Sequence, residues 1–146
     1  MAHTRINFLS VPVDIIPEQN LANEIIEISQ KNGSSQICFV TIWDILKARI
    51  NQDYMNCLKN AELVIPISKS ILSGANFLKL AVPTRYNPFK AVISIMNALD
   101  KNYRSLYMLG GRRDSLMAAE KNVRATFSGL RIVGRYVGYY PKTSEA

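Results

Sequence analysis

Gly110-Gly111-Arg112-Arg113 puts two glycines and two guanidinium groups directly after the apolar run Leu106-Tyr107-Met108-Leu109. Glycine lets a backbone turn sharply at a strand-to-helix junction, and the exposed N–H groups of a helix start beside two arginines could cradle a pyrophosphate. A plain βα turn that needs glycine explains the pair equally well. The spacing is not Gly-x-Gly-x-x-Gly, and Gly-x-x-x-x-Gly-Lys-[Ser/Thr] does not occur, so dinucleotide-binding and P-loop readings lack their fingerprints. Thr41 and Ser68 follow two other apolar runs and offer hydroxyls, while Arg85 offers a cation. These groups can bind a sugar phosphate, but none is a general base at neutral pH. The carboxylate near those positions is Asp44, whose place after Trp43 is that of a helix cap.

Other chemistries fail on composition. No Asp-x-Asp pair is present to hold a cation against a nucleotide diphosphate. The single histidine, His3, and the absence of Gly-x-Ser-x-Gly leave no hydrolytic triad. Cys38, inside an apolar run, reads as core, and Cys57 is no better a nucleophile. Two cysteines and one histidine cannot build a four-ligand zinc site, so neither metal nor cofactor is expected. Tyr136, Tyr139 and Tyr140 interleave with Arg131, Arg135 and Lys142 in a way that superficially suits single-stranded nucleic acid, but no nucleic-acid motif accompanies them. Nucleic acid is therefore the least favoured partner.

The elements that must position these residues alternate. An extended stretch covers Ile6 to Asp14 with a bend at Ser10, and Pro12 suits a sheet edge. From Pro17 a helix buries Leu21, Ile25 and Ile28 and stops at Gly33. Gln36 to Thr41 has the pattern of a strand covered on both faces, with a helix from about Asp44. Leu63 to Pro66 is a second such strand. Ile71, Ala75 and Leu78 mark one helical face, and Phe89, Val92, Met96 and Leu99 another after Pro88. Leu106 to Leu109 leads into a helix with Leu116, Ala119, Val123 and Phe127 inward and Arg113, Lys121 and Arg124 outward, and Leu130 to Val137 closes the series as a strand. Strands alternating with helices imply an α/β class: a Rossmann-like, mostly parallel sheet with helices on both faces. In such sheets ligands bind beyond the carboxyl ends of the strands.

Length and composition bound the rest. A chain of 146 residues with 48% apolar and 20% charged residues can bury a core and is expected to form one domain over 1–146. The net charge of +7 is concentrated beyond residue 100, a balance that suits an anionic partner or a solvated basic face. The first ten residues lack the apolar stretch of a secretory signal, and no run is long enough to span a bilayer. A cytoplasmic chain with free thiols is the expectation, with Asn32-Gly33-Ser34 a turn and not a glycosylation site.

In this order the segments resemble the WecG/TagA/CpsF glycosyltransferase family. The likeness runs through Phe8-Leu9-Ser10-Val11-Pro12-Val13-Asp14, Val40-Thr41 and Ala61-Glu62-Leu63-Val64-Ile65-Pro66. It continues in Leu106 to Gly111, Gly129-Leu130-Arg131-Ile132-Val133-Gly134 and Gly138-Tyr139-Tyr140. The resemblance implies transfer of N-acetylmannosamine or a similar hexose from a nucleotide-sugar to a lipid-linked acceptor, as in polysaccharide biosynthesis. Thr41, Gly110, Gly111 and Gly138 match. The family's Pro-Asp-Gly, whose aspartate is taken as the catalytic base, reads Pro66-Ile67-Ser68 here. Its asparagine aligns with Trp43, and its Arg-Val-x-Gly-x-Asp reads Ala81-Val82-Pro83-Thr84-Arg85-Tyr86, with Arg85 a displaced substitute. Family members also continue into a Gly-x-Pro-Lys-Gln-Glu segment and a C-terminal appendage, whereas this chain stops at Ala146.

The expectation is a degenerate member, a pseudoenzyme in the limit. It has no catalytic residue of its own and would bind substrate through Thr41, Ser68, Arg85, Gly110, Gly111 and Arg112. A nucleotide-sugar or glycolipid is the expected ligand. A second copy or a partner subunit would complete the site, and contact with the inner membrane face would be peripheral. The alternative is a non-catalytic regulatory or assembly protein that uses the same fold to bind a partner or ligand.

Overall fold

The computed structural model describes residues 4–139. His3, Tyr140 and Lys142 therefore lie outside the described residues. The chain divides into two compact units, Met1–Ile93 and Ser94–Ala146.

The first unit opens with β1 (Thr4–Phe8) and β2 (Val11–Ile15), paired antiparallel with Arg5 opposite Asp14 and Asn7 opposite Pro12. The bend expected at Ser10 is thus a full hairpin reversal. Leu9 and Ser10 both adopt positive φ, 50° and 70°, the conformation of a two-residue loop whose twist matches its strands. Neither residue is the Asn or Gly that normally announces such a loop, which is why the reversal is not legible locally. α1 (Glu18–Gln30) follows from Pro17 and buries Leu21, Ile25, Ile26 and Ile28. It ends three residues before Gly33, which takes a φ of +100° in the segment beyond.

β3 (Ile37–Val40) and β4 (Leu63–Pro66) run parallel, Ile37 opposite Leu63 and Val40 opposite Pro66. The crossover between them is α2 (Ile42–Ile50) and α3 (Gln52–Asn60). β4 is wholly buried, but in β3 only Val40 is, so Ile37, Cys38 and Phe39 correct the expectation of a strand covered on both faces. The core gathers Phe8, Val11, Val13, Val40, Ile45, Leu58, Val64 and Ile71, each buried side chain of this size contributing roughly 1.5–3 kcal/mol. Asp14, also buried, accepts from Arg5 Nε at 2.7 Å and from the Val64 N–H at 2.6 Å, so one carboxylate joins β2 to β4. Arg5 donates onward to the Ala61 and Glu62 carbonyls at 3.2 and 2.7 Å. α4 (Lys69–Phe77) and α5 (Pro88–Lys101) complete the run, α5 crossing into the second unit.

The expected face of α5 needs correction. Phe89 and Val92 are exposed, Met96 and Leu99 half-buried, and Ala91 is the buried residue of this helix. A 3.6-residue period reports that a helix has an apolar side, not that anything covers it.

The second unit pairs β5 (Ser105–Leu109) with β6 (Arg131–Tyr136) in parallel, with an irregularity between Leu106 and Tyr107. Their connection is α6 (Arg113–Thr126), which buries Leu116 and Val123, while Phe127 is buried just after it. Ala119, expected inside, is half-buried, and Glu120 is buried in its place, held by Arg124 at 2.9 Å and by Arg135. The class is α/β, and among the described residues two of the three strand pairs are parallel with helical crossovers.

Candidate functional site

At the carboxyl end of the β3–β4 pair the chain brings Thr41, Ile67 and Ser68 together. Ile67 N–H donates to the Val40 carbonyl at 3.0 Å, extending the ladder one residue past Pro66. Thr41 caps α2 and Ser68 caps α4. Both residues stand in extended backbone at the N-cap position, Thr41 bound to Asp44 and Ser68 without a side-chain cap.

Asp44, expected as the cap itself, lies inside the first turn as the partner of the N-cap residue Thr41. Its Oδ2 accepts from Thr41 N–H at 2.8 Å and Thr41 Oγ1 at 2.7 Å, and its Oδ1 accepts from the Tyr54 hydroxyl of α3 at 3.0 Å. Partial burial pushes its pKa upward, but the hydrogen bonds from Thr41 and Tyr54 outweigh that and hold the carboxyl below its ordinary value. Tyr54, by burial and by donating to Asp44, is pushed up to about 12. A carboxylate so committed is a poor proton acceptor. The Thr41 proton is likewise spent on Asp44, leaving its oxygen to accept. Ser68 Oγ is shut off from solvent and has no hydrogen-bond partner among the described residues.

Arg85 sits elsewhere in this unit, exposed on the segment before α5. Its neighbour Tyr86 is buried and donates its hydroxyl to the Ile16 carbonyl, and burial followed by the charge of Glu18 pushes that phenol up to about 12. Cys38 is half-buried, and burial, then Cys57 and Asp44, raise its thiol, which agrees with reading it as no nucleophile. Tyr54 left no local trace among the sequence motifs, because its tie to Asp44 is made between two helices.

In the second unit the end of β5 carries Gly110 at φ +123° and Gly111 at φ +71°, a pair of conformations that L side chains rarely adopt. Gly110 N–H donates to the Tyr136 carbonyl at 3.1 Å and Gly138 N–H to the Gly111 carbonyl at 3.0 Å. The two strand ends cross so closely that a Cβ on Gly138 would lie 3.0 Å from both Gly110 Cα and Gly111 N. Around this crossing, Gly111, Arg112, Arg113, Val137 and Tyr139 line a hollow of about 660 Å³. A second hollow of about 320 Å³ is lined by Arg113, Leu116, Met117, Arg135, Tyr136 and Val137. α6 begins at Arg113, so its first N–H groups lie beside the arginines, with Asp114 supplying one opposing charge in the first turn. Gly110, Gly111 and Arg112 are thus gathered at one turn, while Val137 is a lining residue that sequence reasoning missed.

With this geometry in place, the model of the WecG/TagA/CpsF glycosyl transferase family matches residues 6–146 of the chain. The chain belongs to the WecG/TagA/CpsF family. A comparison with curated proteins finds no match. Family membership makes this a glycosyltransferase-type domain, and Ile67 of this WecG/TagA/CpsF domain stands at the strand end just described. Among the described residues no helix is long and apolar enough to cross a membrane.

Proposed function

We propose that this domain binds a nucleotide-sugar of the N-acetylmannosamine class and transfers it slowly or not at all. The single observation that carries the reading is the end of β4. Ile67 occupies the place where the resemblance puts the proton-accepting aspartate, and the nearby acid, Asp44, is hydrogen-bonded to Thr41 and Tyr54. An isoleucine cannot take a proton from an acceptor hydroxyl, and Asp44 is held ionised for a structural purpose. The Gly110–Gly111 turn, the start of α6 and Arg112 supply the donors that a diphosphate needs. One chain forms one domain over 1–146, acting where lipid-linked acceptors are found, at the inner face of a membrane.

Calorimetry with nucleoside diphosphates, paired with a donor-hydrolysis assay, tests this. The expected result is binding without measurable turnover, with Arg112→Gln weakening binding about tenfold through loss of a charge-assisted hydrogen bond. Ile67→Asp is expected to bring hydrolysis above background. No binding to any nucleoside diphosphate, or brisk turnover by the unaltered chain, would overturn the proposal.

A further inference from the structure

α2 is apolar on two sides. Ile45 and Ala48 are buried in the core, while Trp43, Leu46 and Ile50 are 76%, 40% and 89% exposed. At about 100° per residue, Trp43 and Ile50 point within about 20° of one another, Leu46 beside them on one flank and Lys47 on the other, with Arg49 beyond Leu46. Trp43, Leu46, Lys47, Arg49 and Ile50 together line a hollow of about 620 Å³. The one carboxylate of this helix, Asp44, is turned to Thr41 and Tyr54 and is not among the lining groups. Lys47 lies over the Tyr54 ring, 4.8 Å from its centre.

We propose that this face of α2 docks on an anionic lipid surface, with Trp43, Leu46 and Ile50 entering the headgroup layer and Lys47 and Arg49 meeting lipid phosphates. The occupant follows from the charges. Indole and aliphatic side chains framed by a cation on each flank match an interface that is apolar below and negative above. A two-fold contact with a second copy would set Lys47 and Arg49 against the same cations with no carboxylate in the hollow, which is repulsive. The chain's net charge of +7 acts in the same direction as the local pair. This inference rests on and deepens the proposed action at the inner face of a membrane, but it needs no donor and no turnover, so vesicle binding can fail while nucleoside diphosphate binding holds, and the reverse.

Trp43 is the only tryptophan in the chain, so its emission reports directly on the proposed contact. The full chain is titrated with vesicles of phosphatidylcholine alone and of phosphatidylcholine mixed with phosphatidylglycerol, at low and high salt. The expected result is a blue shift and protection from acrylamide on the anionic vesicles, weakened by salt and absent on the neutral ones. The Lys47→Gln/Arg49→Gln double variant is expected to lower partitioning about twentyfold, near fivefold per cation. Ile50→Glu, at a fully exposed site, is expected to abolish the shift with an unchanged circular dichroism spectrum. Lys101→Gln/Lys121→Gln, which removes the same total charge elsewhere, is expected to change partitioning by less than about twofold. No shift on anionic vesicles by the folded chain, equal partitioning of the two double variants, or a shift produced by polyglutamate and not by vesicles would each overturn the proposal.

Discussion

The two strand ends that carry the candidate chemistry differ in how their polar groups are spent. At the end of β3 and β4, Asp44 satisfies Thr41 and Tyr54, and position 67 is hydrocarbon. At the end of β5 and β6, the glycine crossing consumes its own backbone groups but leaves Arg112 and Arg113 on the wall of an open hollow. The first is a closed structural knot, and the second is a cationic surface whose Arg112 and Arg113 side chains make no hydrogen bond among the described residues. The contrast teaches that two strand ends of one α/β chain can spend their polar groups differently, because one is tied by a carboxylate to neighbouring hydroxyls and the other by backbone geometry at glycines.

The largest effect expected to sharpen this comparison comes from the buried acids of the two units. Asp14→Ala removes a carboxylate with a fully buried side chain from Arg5 and from the Val64 N–H, and should cost about 3–5 kcal/mol in chemical denaturation. Glu120→Ala breaks pairs whose arginines are about half exposed, and should cost only about 1 kcal/mol after solvent screening. Equal losses would break the distinction between a tightly knotted first unit and a looser second one.

Gly138→Ala comes next. Its Cβ meets backbone at 3.0 Å, which cannot rotate away, so a loss of about 1–3 kcal/mol is expected together with loss of nucleoside diphosphate binding. Retained binding would detach the ligand site from the glycine crossing.

Smaller still is Asp44→Ala, expected to cost about 1 kcal/mol as a lost cap, read as a lowered Tm. The pH dependence has a definite sign on both sides. Asp44 has a folded pKa below that of an unfolded aspartate near about 4, so its contribution is present above that value and fades as pH falls through the lower one. Tyr54 keeps its proton in the fold up to about 12, so its contribution is whole below the unfolded value of about 10 and is lost as pH rises through about 12. Tyr54→Phe should flatten the denaturation midpoint against pH at the alkaline end. An unchanged alkaline slope would show that the knot does not tie α2 to α3.

Much of the fold was legible because burial period and strand length are local properties. The apolar runs 37–40 and 63–66 and the glycine-arginine turn stood in the sequence, while the helix expected from about Asp44 starts two residues earlier, at Ile42, and the family resemblance rested on the same blocks. The hairpin at Leu9–Ser10 was not legible, since its positive φ values fall on residues that do not favour them. Tyr54 and Val137 escaped for a different reason: each acts through a neighbour distant in sequence or across a turn.

What the sequence by itself determined is the alternation of elements, the family and the excess of positive charge, because side-chain chemistry and periodicity need no partner to be read. Only the tertiary structure decided that Asp44 is spent on Thr41 and Tyr54, that Asp14 bridges two strands, and that Trp43, Leu46 and Ile50 face outward. Each of these is a property of pairs of surfaces, and a pair exists only after the chain has closed.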